Sequence, residues 1–175
     1  VWLHVDGAHG ASALLSATHR HRLRGLARAR SLAWDPHKMM LVPLAAGMVL
    51  VRDVRDLDGA FAQAAPYLFH RPGAAAGAAG EDEEADQARS TGDDARSWDQ
   101  GVRTFQCSRR ADVLKVWVAL QRHGADGIGA LYDHLCATAA RLHALIAERR
   151  DFEAVHAPES NILCFRWLGD RAPDD

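Results

Sequence analysis

Apolar positions cluster at three short stretches of the first fifty residues, and each predicts a strand rather than a helix. Residues 2–5 (WLHV) run into Asp6, residues 31–34 (SLAW) stop before Pro36, and residues 47–51 (GMVLV) are nearly continuous and apolar, as in a sheet covered on both faces. Between the first two lie the small residues GAHGAS and then ALLSATHRHRLRGL, where Leu14, Leu15, Leu23 and Leu26 form a broken apolar face and predict a helix. Pro36 imposes an extended or turn geometry on Asp35. Short apolar strands alternating with helical patterns put the chain in the α/β class.

Farther along, the cap-like Ser108 precedes Val113, Val116, Trp117 and Leu120, whose spacings predict a helix over 111–122 that Gly124 ends. A stripe of Ile128, Leu131, Leu135, Leu142, Leu145 and Ile146 predicts a longer helix over 128–149. FEAVHA and NILCFRW, separated by the Pro158 turn, read as a hairpin or a pair of short strands, so a second α+β unit is expected to follow the first. From Gly73 the pattern breaks into GAAAGAAG and EDEEADQARSTGDDAR, with seven acidic residues between Glu81 and Asp94. Such a stretch has little apolar surface to set against its ordering entropy, which predicts a flexible insert, either a solvated segment without a role or a lid beside a site.

Composition narrows the class. A length of 175 residues suits one modest domain with a real core, and 48% hydrophobic with 25% charged residues is ordinary for a soluble globular protein. A net charge of -2, with Lys and Arg dispersed, gives no electrostatic reason to expect nucleic acid or an anionic membrane as partner. Cys107, Cys136 and Cys164 show no C-x-x-C arrangement, which fits a reducing compartment. With no apolar run of membrane-spanning length and no secretion signal, the cytoplasm is the expected location. The chain opens without methionine directly on a strand-like run and closes just after another, so it is expected to be a segment of a longer protein.

Candidate chemistry centres on SLAWDPHKMM, where Lys38 follows His37 at the end of a predicted strand. A lone lysine there reads as a surface turn with its cation in water. Asp6 ends the first strand and is followed by Gly7, Ala8 and Gly10, a pattern that can hold a ligand at the carboxyl edge of a parallel sheet. Asp6 by itself reads equally as a capping or exposed aspartate, and the small residues as packing where a helix meets the sheet. In the functional reading they leave room for a planar ring. A lysine amine forms a Schiff base with a carbonyl cofactor, pyridoxal phosphate being the recurring example, and a nearby carboxylate keeps the ring nitrogen protonated.

Taken in order, HVDGAHGASALLS, LRGLARARSLAWDPHKM, PYLFH and SWDQGVRTFQCSRRADVLKVWVAL resemble the pyridoxal-phosphate-dependent group II amino acid decarboxylases, which include glutamate, cysteine sulfinate, aromatic amino acid and diaminobutyrate decarboxylases. The resemblance covers most of the chain outside the acidic insert. It implies a fold-type I PLP-dependent transferase-like α/β architecture. In that scheme residues 1–72 belong to the large cofactor domain and 73–97 are an insert at the mobile catalytic loop. Residues 98–126 return to the large domain with a linking helix, and 127–175 begin a smaller C-terminal α+β domain.

The same resemblance implies pyridoxal 5'-phosphate as cofactor, an L-amino acid as substrate, an amine and CO2 as products, and a homodimer in the full-length protein with active sites between subunits. Lys38 matches the Schiff-base lysine, Asp6 the partner of the pyridine nitrogen, Ala8 the small residue on one ring face, and His37 the histidine beside the lysine, near the cofactor phosphate. Arg109 and Arg110 support the dimer or the cofactor surroundings, or form a structural salt bridge. No metal is expected, and His9 lacks converging partner ligands for one.

Departures from the family pattern set the rival readings. No tyrosine lies between Tyr67 and Trp98, where the family's loop tyrosine falls, and the nearest positions are Asp93, Asp94 and Ala95. Either another group protonates the substrate carbanion, or a changed lid exposes it to oxidative deamination. His9 replaces an aromatic residue after D-x-A and either supports the Asp6 carboxylate or packs. The family's phosphate-binding residues and ring-stacking histidine match nothing here, so the chain is expected to hold half of a cofactor site. The rivals are an oxidative decarboxylase/deaminase or other lyase, and a truncated noncatalytic paralogue or partner-binding fragment.

Overall fold

The computed structural model describes residues 1–61, 103–106 and 108–169. Contacts group the chain into two units, residues 1–52 with 111–175, and residues 53–110. In the first unit, strands β1 (His4–Asp6), β2 (Ser31–Trp34) and β3 (Met48–Val51) form one sheet in that order. β1 runs parallel to β2 with Asp6 opposite Ala33, and β2 runs antiparallel to β3 with Trp34 opposite Met48. β2 and β3 fall inside the predicted stretches, and β1 overlaps its stretch and takes in Asp6. The expectation that β3 is covered on both faces is corrected, because Val49 and Leu50 are 55% and 45% exposed. A continuous apolar run marks a strand but does not reveal what lies over it.

The helix predicted after β1 is also corrected. Its place is taken by three short 3₁₀ segments, Gly10–Leu15, Arg20–Leu23 and Leu26–Arg28. Ser16 breaks the run with an extended ψ of 125°, and its buried hydroxyl is committed twice: it donates to Asp133 Oδ1 and accepts the His19 amide at 2.8 Å. Side-chain bonds of this kind compete with the helical ladder, and they prevail where the apolar face is already interrupted.

α1 (Arg55–Ala60) lies in the second unit and α2 (Val113–Ala147) in the first. α2 is two helical stretches meeting at Gly124, whose φ of 66° and ψ of 172° belong to a region nearly closed to other residues. The predicted break at Gly124 therefore stands where the pattern put it. Asp112, not Ser108, occupies the N-cap position, without a side-chain cap bond. Of the predicted first face only Val116 is buried, while Val113 and Trp117 are exposed. In the second half the buried positions are Ile128, Gly129, Tyr132, Cys136, Ala139 and Ile146, so Ile128 and Ile146 of the predicted stripe are buried while its four leucines are not.

Close approach explains part of that difference. A Cβ at Gly129 would overlap the Leu15 carbonyl oxygen and stand 2.8 Å from its carbon, so the helix touches the 3₁₀ backbone through its smallest residue. Gly129→Ala gains about 1 kcal/mol of helix propensity. Overpacking against fixed backbone costs about 1–3 kcal/mol and should outweigh it. Denaturant unfolding of the intact protein should show a lowered midpoint for Gly129→Ala.

Two apolar clusters form the core. One joins Met40, Val42, Ala46, Val116 and Ile128 with Leu15, Trp34 and Ala119. The other joins Ala13, Met39, Tyr132 and Cys136 with Leu23 and Leu135. Met39 and Met40, adjacent in sequence, enter different clusters and so anchor the segment just after Lys38 in two places. β4 (Phe152–Ala154) and β5 (Phe165–Trp167) form the predicted antiparallel pair, with Ala154 opposite Phe165.

In the second unit, Arg103 Nε donates to Asp58 Oδ1 at 2.7 Å, and Phe61 meets Phe105 edge to face at 5.1 Å. The acidic insert at 73–97, Tyr67, Trp98, Cys107 and the loop positions Asp93, Asp94 and Ala95 lie outside the described residues.

Candidate functional site

Parallel pairing sends β1 and β2 out of the sheet at the same edge. Beyond the strands the ladder continues, with the Gly7 amide donating to Ala33 O at 3.0 Å and the Asp35 amide to Ala8 O at 3.1 Å. The turn after Asp6 is thus bonded to the residue that opens DPHK. Gly7 is required there, because a Cβ would stand 2.7 Å from Leu32 Cδ1 and 2.9 Å from the Ala11 Cβ. The exposed Asp6 carboxylate accepts the Ala8 amide at 3.0 Å and turns the chain back on itself.

The DPHK turn is held mainly by backbone. Pro36 is fully buried, the His37 amide donates to Ala46 O at 3.2 Å, and the Lys38 amide donates to Asp35 O at 3.0 Å. His37 Nδ1 lies 2.7 Å from Ala46 O and 3.1 Å from Ala46 N, so it donates to the carbonyl in one tautomer and accepts from the amide in the other. The Lys38 side chain is 39% exposed, and its Nζ stands 2.8 Å from Asp35 Oδ2.

Asp6, Ala8, His37 and Lys38 therefore lie in two bonded turns at one sheet edge. Asp35 is the partner that sequence reasoning missed; it was read there only as the residue constrained by Pro36. The signal was present as an acid three residues before a base across a proline turn. His9 engages Asn161, with Nε2 2.7 Å from Oδ1, rather than the Asp6 carboxylate. The only other lysine in the chain, Lys115, is doubly committed, to Asp112 Oδ1 and to Ala45 O, each at 2.7 Å. Arg109 and Arg110 are exposed.

The cluster that takes up Met39 is chemically distinct. Burial pushes the Tyr132 phenol up to about 12, with Cys136 adding to the rise, and burial also raises the Cys136 thiol. A phenol whose folded value exceeds the ordinary 10 adds stability that is complete below pH 10 and is lost as pH rises through 12. Such a shift corresponds to about 3 kcal/mol. Relative to Tyr132→Phe, the parent should lose about that much unfolding free energy between pH 10 and 12, measured by denaturant titration.

A cleft of about 840 Å³, lined by Met40, Val42, Leu114, Val118, Ile128 and Leu131 among others, is mostly apolar and includes none of the four predicted site residues. Among the described residues no group of three or more His, Cys, Asp or Glu could hold a metal ion, and no helix is long and apolar enough to cross a membrane.

Comparison with known proteins gives this geometry a lineage. A family model described as the pyridoxal-dependent decarboxylase conserved domain matches residues 1–83 and 88–168. Cysteine sulfinic acid decarboxylase of Mus musculus is 37% identical over 169 residues, which is 96% of this chain. The chain spans 30% of the length of that relative. The crystal structure of mouse CSAD in apo form superposes with a TM-score of 0.74 at 32% identity, covering 96% of this chain and 30% of that one. The glutamate decarboxylase domain of a diaminobutyrate-pyruvate transaminase and L-2,4-diaminobutyrate decarboxylase from Vibrio parahaemolyticus gives a TM-score of 0.67 at 25% identity, covering 98% and 27%. These neighbours share the mixed helix and sheet organisation of the fold-type I α/β class expected from the sequence. The match extends through both turns of the sheet edge and nearly the whole chain, and the chain belongs to the pyridoxal-dependent decarboxylase family.

Proposed function

We propose that the intact protein carrying this chain is a pyridoxal-phosphate-dependent carboxy-lyase that converts an L-amino acid to an amine and CO2. The observation that carries the reading is the parallel β1–β2 pairing, which brings the Asp6 turn and the DPHK turn to one edge. The residues present fit the cofactor in their chemistry: an accessible amine at Lys38, an exposed carboxylate at Asp6, and between them a turn of Gly7 and Ala8 with no bulky side chain.

When bound, pyridoxal phosphate supplies an aldehyde and an aromatic ring that takes up the electron pair left at Cα as CO2 departs. In this reading Lys38 Nζ would hold the cofactor through its aldehyde. Asp6 holds a proton at the ring nitrogen, Ala8 leaves the ring face clear, and His37 borders the phosphate. Residues 1–72 and 98–126 belong to the large cofactor domain, and 127–175 begin the smaller one. The protein works as a homodimer in the cytoplasm.

Product analysis tests the reading, beginning with cysteine sulfinate because the matched relatives are named for it. An amine and CO2 in equal amounts, dependent on added pyridoxal phosphate, are expected from one of the acidic, aromatic or diamino acids. An aldehyde with ammonia would instead establish the oxidative branch, and no product from any of them would overturn the assignment.

A further inference from the structure

The ion pair between Lys38 Nζ and Asp35 Oδ2, at 2.8 Å, is used by nothing in the function proposed above. We infer that Asp35 is a positioning residue for Lys38, whose carboxylate takes up the lysine ammonium whenever the amine is not bonded to the cofactor. The inference deepens the proposed function and rests on Lys38 being the attachment residue.

Asp35 is built to stay in place. Its amide is tied to Ala8 O, its carbonyl accepts the Lys38 amide, and Gly47 stands so close that a Cβ there would lie 3.1 Å from Asp35 Oδ1. Its side chain is 23% exposed, and among the described residues His37 Nε2 also lies near it, 3.9 Å from the same oxygen. Lys38, by contrast, carries a four-carbon stem that can leave and return. A fixed acid beside a mobile amine catches the amine on release and holds it at a known spot.

That arrangement opposes attachment. The Lys38 ammonium gives one proton to solvent, its nitrogen bonds to the aldehyde carbon, and the aldehyde oxygen leaves with the two remaining amine hydrogens as water. The ion pair must break before the first of these events. Partly exposed pairs of this kind are worth enough to change an equilibrium about fivefold.

The test uses the intact protein stripped of cofactor, with pyridoxal phosphate added at neutral pH. Attachment is followed by absorbance, then fixed by borohydride and located by peptide mass spectrometry. Asp35→Asn and Asp35→Ser should both attach about fivefold faster than the parent, and Asp35→Glu should return toward the parental rate. A merely structural role for Asp35 predicts slower attachment, so the sign separates the two. Parental or slower rates in both neutral variants, with the label still on Lys38, would overturn the inference. A label on another residue of the parent would instead remove the reading on which it rests.

Discussion

Lys38→Ala should abolish covalent attachment of pyridoxal phosphate to the intact protein and lower kcat by roughly three orders of magnitude, since removing a covalent nucleophile disables the whole sequence of steps it serves. Folding should be nearly unaffected. The side chain is 39% exposed, while its turn is held by the buried Pro36, by backbone bonds to Asp35 and Ala46, and by Met39 and Met40 in two clusters. Loss of the Asp35 ion pair costs little at a partly solvated site. The pair of measurements is therefore a collapsed kcat with an unfolding midpoint close to that of the parent. Equal loss of both would mean that Lys38 acts on the fold instead.

Asp6→Asn is expected to separate binding from rate. The isosteric amide still accepts the Ala8 amide through its oxygen, so the turn persists, but the negative charge that would hold a proton at the ring nitrogen is gone. A close carboxylate moves the pKa of a cationic partner by about 1–3 units, so kcat should fall roughly a hundredfold. Attachment to Lys38 should persist. Steady-state kinetics beside absorbance at saturating cofactor will show it, and a parental kcat would remove Asp6 from the proposed chemistry.

Strands were readable because their signals are local. WLHV and SLAW each run into an acidic residue and MVLV follows Gly47, and the observed strands lie within these runs except that β1 takes in Asp6. The Gly124 break was readable for the same reason, since few other residues adopt its backbone. The segment after β1 was not, because Ser16 is fixed by Asp133, a residue 117 positions away. Part of the contact face of α2 escaped likewise: hydrophobicity favours the leucines, but close approach favours Gly129.

At the site, D-x-A and DPHK drew attention to Asp6, Ala8, His37 and Lys38 through residue type and order. Their common edge depends on β1–β2 pairing, which no single stretch encodes. Asp35 and the His9–Asn161 contact were hidden for a related reason, the first because a proline turn obscured the i, i+3 pair and the second because 152 residues separate the partners.

The central claim is a covalent bond at one amine, and the chain offers two lysines to choose between. Borohydride reduction of the intact protein after loading with pyridoxal phosphate, followed by peptide mapping, tests it most directly. The account predicts a pyridoxyl group on Lys38 and an unmodified Lys115. A label on Lys115 or elsewhere, or none at all, would contradict it.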